Sequence, residues 1–598
     1  MELDGLEALL RRHDDVGDAV VDVRSIDDGP AFLVAHVTPA AGVDVDVHEL
    51  RAGLAEWLPP QAVPSRIVTV PELPITASGK VDRAALARID FEGATASTDG
   101  AEAGATTSLL GIVRDIWSQV FRAEVAEDRS FFDSGGDSML AAEVAARTIG
   151  AFDIDPQHGS ALVRGLLTAA SVADFAAAVQ TAVDGIVAPV VPEWPDFWGD
   201  GRLAAALPAR RDGHVRPDGI HDVLLTGATG FVGSFLLDAL LRSTGARIHC
   251  PVRARDAAHA RRRVVSALRG YGLERAAAEL VDDGRRAECF AADIAEPNLG
   301  LAAEHSSALS ECLDLVVHAA ADVNFLYPYA ALQNINVGGT KRIIELASPR
   351  RVPVHFISTV AVLAGCGAAG VTAVAEDDVL AHPEGISMGY AESKWVAERA
   401  LQEAADQGLP IAVHRPYEVT GEQRSGVCNT ETAICSLFET IARTGVAPDI
   451  ALPMDFVPVD FLADAVVHIA TTVPTRREVY HVTSPHSATF GDVIERMRVA
   501  GFDVKTLDYS AWVDELVRFV TANPSSPTAP FVSLCVDRAN TAPMTVKELF
   551  FEGTFPRLGR ANFEAALRGS GLTQVPVDAK LLDLYLDYFF ESGFIPRP

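Results

Sequence analysis

Apolar positions divide the chain into three stretches of different period. In the first, the short runs DAVVDVR, AFLVAHV and RIVTV lie between helix-period segments at residues 6–12 and 48–58. Alternating or β-branched runs favour strands, and recurrence every three to four residues favours helix. A small α/β module is expected there. The second stretch, SLLGIVRDIWSQVF through FFDSGGDSMLAAEVAARTI to VRGLLTAASVADFAAAV, has helical period throughout. The third opens on the apolar run 223–225, followed directly by an amphipathic helix, and adds strand-like ARIHCPVR and VHFISTVAV. Strands alternating with helices predict a parallel sheet. Beyond about residue 425 the period weakens to strand-like REVYHVTS and several helical runs, which predicts a smaller, largely helical part.

Two segments interrupt these patterns. FEGATASTDGAEAGATT (91–107) is small and polar, and 184–219 carries Pro189, Pro192, Pro195, Pro208 and Pro217. Both read as linkers, the second with Trp194 and Trp198 placed to dock onto a neighbour. The expected organisation is 1–90, a linker at 91–107, 108–183, a linker at 184–219, and 220–598. The last divides into 220–424 and 425–598.

Composition narrows the function. A net charge of −31 argues against general nucleic-acid binding, so any phosphate site must be a local basic pocket. No secretory leader pattern or long apolar run occurs, and the seven cysteines form no CxxC pair. A cytoplasmic protein without membrane contact, with reduced thiols and no metal, is expected.

The candidate chemistry sits in four places. In HDVLLTGATGFVGSFLLDALL a strand runs into Gly227, Gly230 and Gly233 and then a helix, a dinucleotide-binding arrangement. At the end of the next strand stands Arg253, with Arg255 and 261–263 behind it, where an NAD site wants an acid. A guanidinium suits a 2′-phosphate, so NADPH is favoured over the plain reading of solvated arginines. Asp293 lies at a later strand end, where it suits an adenine contact. VHFISTVAV ends in Ser358 and Thr359, and YAESK supplies Tyr390 and Lys394 four residues apart on a helix. That spacing puts phenol and ammonium on one face, where a cation lowers the phenol's pKa and fits it for proton donation. In GGDS, Ser138 opens a helix, either as its N-cap or as an exposed hydroxyl whose helix dipole favours an attached phosphate. In PITASGKVDR, Lys80 is either a surface lysine in a glycine turn or a mobile cation aimed at a phosphate or carboxylate.

These strings carry resemblances. Residues 1–90, through PITASGKVDR, resemble the C-terminal subdomain of adenylate-forming enzymes, which implies that Lys80 serves acyl-adenylate formation. In that family the larger subdomain that binds ATP precedes this one, so Lys80 is expected to be idle within this chain, an excised or split portion of a longer assembly line. GGDS within an all-helical module resembles a four-helix peptidyl or acyl carrier domain, which implies 4′-phosphopantetheine on Ser138. GATGFVG, VRA, DIAEPNLGL, VVHAAADVNF, NVGGT, ISTVAV, YAESKWVAE and HRPYEVTGE together resemble the extended short-chain dehydrogenase/reductases. More narrowly, they resemble the terminal thioester reductases of nonribosomal peptide synthetases and of carboxylic acid and aminoadipate reductases.

The resemblance implies a Rossmann-fold core with a catalytic set of Thr359, Tyr390 and Lys394. It implies cofactor contacts from Thr226, Gly227, Thr229, Gly230, Phe231, Gly233, Arg253, Arg263, Asp293, Ile294, Ala319, Lys394, Pro416 and Val419. The family pattern usually has glycine where Tyr417 or Glu418 stands. Trp512, Tyr585, Phe589 and Phe590 either line an acyl pocket or, as the commoner role, pack a core.

The implied activity is NADPH-dependent release of a carrier-bound acyl or peptidyl thioester as an aldehyde, or as an alcohol after a second hydride transfer. The implied partners are the upstream adenylation core and other synthetase domains, and a phosphopantetheinyl transferase. A non-redox, Dieckmann-type release cyclase uses the same fold but would not need Tyr390. A nucleotide-sugar epimerase leaves the carrier unexplained, and a carrier module with a dead reductase would show damaged motifs.

Overall fold

The structure, a computed structural model, describes residues 195–211, 219–282, 285–325, 327–523 and 555–598. Upstream it describes 10–11, 15–24, 32–40, 45, 50, 64, 66–70, 73, 108–121, 125–129, 131, 134, 138–152, 154, 162–163, 165–166 and 171–183, and near the end 528, 531, 532 and 535. Lys80, residues 135–137 and most of the expected helices at 6–12 and 48–58 lie outside the described residues. The chain forms two compact units, 1–136 with 171–177, and 137–170 with 178–598.

In the first unit the three strand-like runs pair. β1 (Val16–Arg24) is antiparallel to β2 (Phe32–Pro39), which is parallel to β3 (Arg66–Thr69). Ala19, Val21, Ala35, Val37 and Ile67 form a small core with Leu10 and Leu50. Helix α1 (Leu109–Phe121) buries Val113, Ile116, Trp117 and Val120, the three-to-four spacing that marks one helix face. The Trp117 ring meets those of Phe131 and Phe175 at 5.3 and 6.0 Å. Helices α2 (Ser138–Phe152) and α3 (Val172–Val183) occupy the other helix-period runs.

The second unit is built on seven parallel strands: β4 (Asp222–Thr226), β5 (Arg247–Val252), β6 (Ala287–Ala291), β7 (Leu315–His318), β8 (Val354–Ile357), β9 (Ile411–Pro416) and β10 (Arg477–Val482). Their spatial order is β10-β9-β8-β7-β4-β5-β6. The order reverses between β4 and β7, and in open α/β sheets ligands bind outside the strand ends at such a reversal.

Both faces are covered, which is why these strands read as continuous apolar runs instead of alternating ones. Val223, Leu225, Leu315 and Val317 pack with α4 (Phe231–Ser243), α5 (Ala257–Gly270) and α8 (Val459–Thr472). Leu224, Val316, Val354 and Phe356 point the other way, to α6 (Gly339–Ala347) and α7 (Gly389–Asp406).

The C-terminal part has its own core of Phe438, Ile441, Phe490, Met497, Leu582, Tyr585 and Phe589, and Trp512 sits in a smaller cluster with Leu516 and Val520. Tyr585, Phe589 and Trp512 are therefore engaged in packing, and Phe590 stacks on Phe502 at 6.1 Å.

Part of the proline-rich segment is fastened down. Trp198 meets Trp395 of α7 edge-on at 4.9 Å, and the Leu203 and Leu207 N–H groups donate to the Glu403 and Gln407 side chains. The docking expected of Trp198 has a local cause: a Phe197–Asp200 turn buries Phe197 against Tyr329. All seven cysteines are free thiols. Among the described residues no helix is long and apolar enough to cross a membrane.

Candidate active site

The glycine loop leaves the C-terminal end of β4. Gly227 has φ of 80°, and a Cβ there would lie 2.8 Å from the Ala320 nitrogen, so only glycine fits. A Cβ on Gly233 would lie 1.9 Å from the Gly227 carbonyl oxygen, so this glycine sets how closely α4 approaches the loop. Gly230 differs. It is exposed, a Cβ there meets nothing nearer than 3.4 Å, and as N-cap of α4 it leaves the first turn without a side-chain cap. Uncapped N–H groups at a positive helix end favour an anion. Thr229 is half-buried, and the Phe231 ring rests against Tyr271 at 5.1 Å.

Arg253 is exposed just past β5, and Arg263 of α5 donates to its carbonyl oxygen. Burial and the Arg253 charge hold the Arg263 guanidinium below its usual pKa. Two cations this close repel, and an anion between them relieves the repulsion. Asp293 turns back on its own loop, accepting the Ala295 N–H at 2.8 Å, while Ile294 lies against Gly339 and Ala319 against Gly227.

Strand β8 runs into Ser358 and Thr359. Ser358 is buried and donates to Glu398. Thr359 is half-buried and caps the next turn (Val360–Leu363) by accepting the Ala361 N–H at 3.1 Å, which leaves its hydroxyl proton as a donor. Tyr390 lies in the first turn of α7, its ring edge-on to Phe325 at 5.7 Å. Lys394, one turn on, is 2% exposed. Its Nζ donates to the Ile357 carbonyl at 2.8 Å and lies 4.4 Å from the centre of the Phe356 ring.

The four-residue spacing holds, but the electrostatics expected of it do not. Burial, then the Glu418 carboxylate, raise the Tyr390 pKa instead of lowering it. Burial also lowers Lys394 to about 7, against the pull of Glu398. Desolvation of both groups outweighs any help the ammonium gives the phenol. Tyr390 is then protonated at neutral pH and remains a proton donor.

Pro416 ends β9. The Tyr417 N–H donates to Val482 at 3.0 Å, and a short strand, Glu418–Thr420, with half-buried Val419 at its centre, pairs in parallel with Phe456–Pro458. The Glu418 carboxylate acts on the phenol.

Behind the site Thr226 and Tyr390 are linked by a polar network whose other side chains, His318, Thr340, Asn336 and Ser393, went unassigned in the sequence although they sit inside VVHAAAD, NVGGT and YAESK. The Ala320 N–H donates to Thr226 Oγ1 at 3.1 Å, and Thr226 Oγ1 lies 2.7 Å from His318 Nδ1. His318 Nε2 lies 3.1 Å from Thr340 Oγ1, which donates to the Asn336 carbonyl at 2.7 Å. The Asn336 amide, in a π-helical turn (Gln333–Gly338), donates to Ser393 Oγ at 2.9 Å, and Ser393 donates to the Tyr390 carbonyl at 2.7 Å. Burial, helped by the Lys394 charge, lowers His318 to about 3, so it is neutral.

Residues 5–80 match the AMP-binding enzyme C-terminal domain, 112–179 the phosphopantetheine attachment site, and 225–466 the family described as male sterility protein. The crystal structure of the terminal R domain from the myxalamid PKS-NRPS biosynthetic pathway is 32% identical with a TM-score of 0.59, covering 67% of this chain and 98% of that one. The chain belongs to the nonribosomal peptide synthetase family and carries its reductase (R) domain. A linear gramicidin synthase of Brevibacillus parabrevis is 30% identical over 99% of this synthetase chain, and the isonitrile lipopeptide synthase of Streptomyces coeruleorubidus 32% over 99%. The chain spans 11% and 40% of those two relatives.

Proposed function

We propose that this synthetase chain performs NADPH-dependent reductive release of an acyl or peptidyl group held as a thioester on phosphopantetheine at Ser138, giving an aldehyde. In this reading 1–90 is an adenylation subdomain, 108–183 the carrier and 220–598 the reductase. An upstream adenylation core loads the carrier, and a phosphopantetheinyl transferase primes it.

The observation that supports the reading most is one edge of one sheet. The uncapped N-terminus of α4, the Arg253–Arg263 pair and the Thr359–Tyr390–Lys394 set all follow the C-terminal ends of the parallel strands, beside the reversal in strand order. The open side of Gly230 fits a pyrophosphate, and the exposed Arg253 with Arg263 bonded to its backbone fits a 2′-phosphate. When bound, NADPH supplies hydride to the thioester carbonyl carbon.

Thr359 and Tyr390 donate to the carbonyl oxygen as negative charge develops there, which is where fixed donors accelerate such reactions. Lys394 presents an ammonium to the ribose hydroxyls. The carbonyl then re-forms, the C–S bond breaks, and the sulfur leaves with a proton as the free thiol. Absorbance of NADPH with the acyl-loaded full chain tests this. Cofactor consumption is expected, Tyr390→Phe should abolish turnover while retaining NADPH binding, and no consumption by a loaded sample would overturn the reading.

A further inference from the structure

The helix that carries Tyr390 and Lys394 also carries, one turn beyond Lys394, a carboxylate that solvent does not reach. The side chains of Glu398 and Arg415 are 0% and 1% exposed. Arg415 Nε donates to the two Glu398 oxygens at 3.0 and 3.1 Å, and Nη2 makes a further bond. Glu398 Oε1 also accepts the Ser358 hydroxyl.

The chain of contacts continues outward. Arg415 Nη1 lies 3.2 Å from His481 Nε2, and His481 Nδ1 lies 2.8 Å from the Gly559 carbonyl. A carbonyl only accepts, so His481 carries its proton on Nδ1 and receives the Arg415 proton at Nε2. The His481 backbone N–H in turn donates to Glu376, which also takes the Asn562 and Phe563 N–H groups at 2.6 and 3.1 Å. Each polar group along this path has a partner, from the end of β8 to the returning C-terminal segment.

A buried ion pair is weak evidence for stability, because desolvating both charges offsets most of their attraction. An apolar pair of similar volume would fill the same space. What it would not provide is a fixed acceptor for Ser358, the residue next to Thr359, or a negative charge one turn from Lys394. The other groups around Lys394 are the Ile357 carbonyl, the Phe356 ring and neutral His318, none of them anionic.

We propose that Glu398 is a positioning residue of the reductive site, its pair with Arg415 fixing the Ser358–Thr359 strand end against the helix that carries Tyr390 and Lys394. Its charge also opposes the burial that lowers Lys394 to about 7. The inference rests on the reductive reading above.

The test compares wild type, Glu398→Gln and Ser358→Ala as full, acyl-loaded chains, with NADPH oxidation followed across the neutral pH range and thermal midpoints measured alongside. In Glu398→Gln, kcat should fall by up to about 100-fold, the scale of a misplaced catalytic group. The alkaline loss of activity should move to lower pH. Wild-type kcat in this variant, or a lower kcat with an unmoved pH profile, would overturn the proposal. Should Glu398→Gln fail to fold, Ser358→Ala decides. A lower kcat at a wild-type thermal midpoint upholds the proposal, and an unchanged kcat overturns it. A wild type that consumes no NADPH strikes down the reductive reading and this inference together, whereas an active wild type with unaltered variants strikes down the inference alone.

Discussion

Lys394 Nζ donates to the Ile357 carbonyl oxygen at 2.8 Å, so the end of β8 and the second turn of α7 are joined through the ammonium itself. Burial brings that ammonium from 10.5 to about 7. Reduction that depends on the charged form should fall as pH rises through about 7. Stability should run the other way. The unfolded lysine keeps its proton up to about 10.5, so between the two values the unfolded state binds more protons and raising the pH favours the folded state. Denaturant midpoints should rise over that window in wild type and flatten in Lys394→Met.

The charge of Glu418, after burial, holds the Tyr390 proton on. Glu418→Gln should lower the pKa of Tyr390. Titration followed by the phenolate absorbance band should show one tyrosine ionising at lower pH than in wild type, and the difference should vanish in the Tyr390→Phe background.

The last two glycines of the motif should fail in different ways. Gly233→Ala forces a methyl to 1.9 Å from the Gly227 oxygen and should cost about 1–3 kcal/mol of stability. Gly230→Ala meets nothing nearer than 3.4 Å, so its thermal midpoint should match wild type while NADPH affinity drops. Equal midpoints in the two variants would contradict this account of the loop.

Four buried histidines among the described residues, His318, His355, His414 and His481, are held below their ordinary pKa by burial and make the fold acid-sensitive. Burial holds His318 and His355 at about 3 and His481 at about 4, against 6.5 ordinarily. Below 6.5 the unfolded chain takes up protons that the folded chain refuses. Stability present above that pH is therefore lost as pH falls towards 4, by roughly 1.4 kcal/mol per unit for each histidine. Denaturant midpoints should trace this slope, and His355→Gln should reduce it by one proton's worth.

What the sequence revealed and what it hid divide along contact range. The glycine loop was legible because its constraints are local: Gly227 and Gly233 meet within one turn. The parallel sheet was legible because both-face burial writes a continuous apolar run at 223–225. The Tyr390–Lys394 spacing was legible as a helix face. The environment of that pair was not, because Ile357 and Glu418 reach it from other strands. The direction of the Tyr390 shift depends on those distant groups and on desolvation, neither of which a spacing encodes. Trp198 was placed correctly as a docking residue, but its partner Trp395, on the catalytic helix, emerges only from the packing.

The hydrogen bonds behind the site have a single self-consistent order. Thr340 spends its proton on the Asn336 carbonyl, so it must receive from His318 Nε2, and Nδ1 must then receive from Thr226. The row starts at the Ala320 N–H and ends on the Asn336 carbonyl, backbone amides that neither release nor take up a proton near neutral pH, so it does not shuttle protons. It conveys geometry alone. The loop proposed to grip the dinucleotide and the helix that bears the phenol therefore behave as one mechanical part, and a substitution at either end is felt at the other as displacement and not as charge.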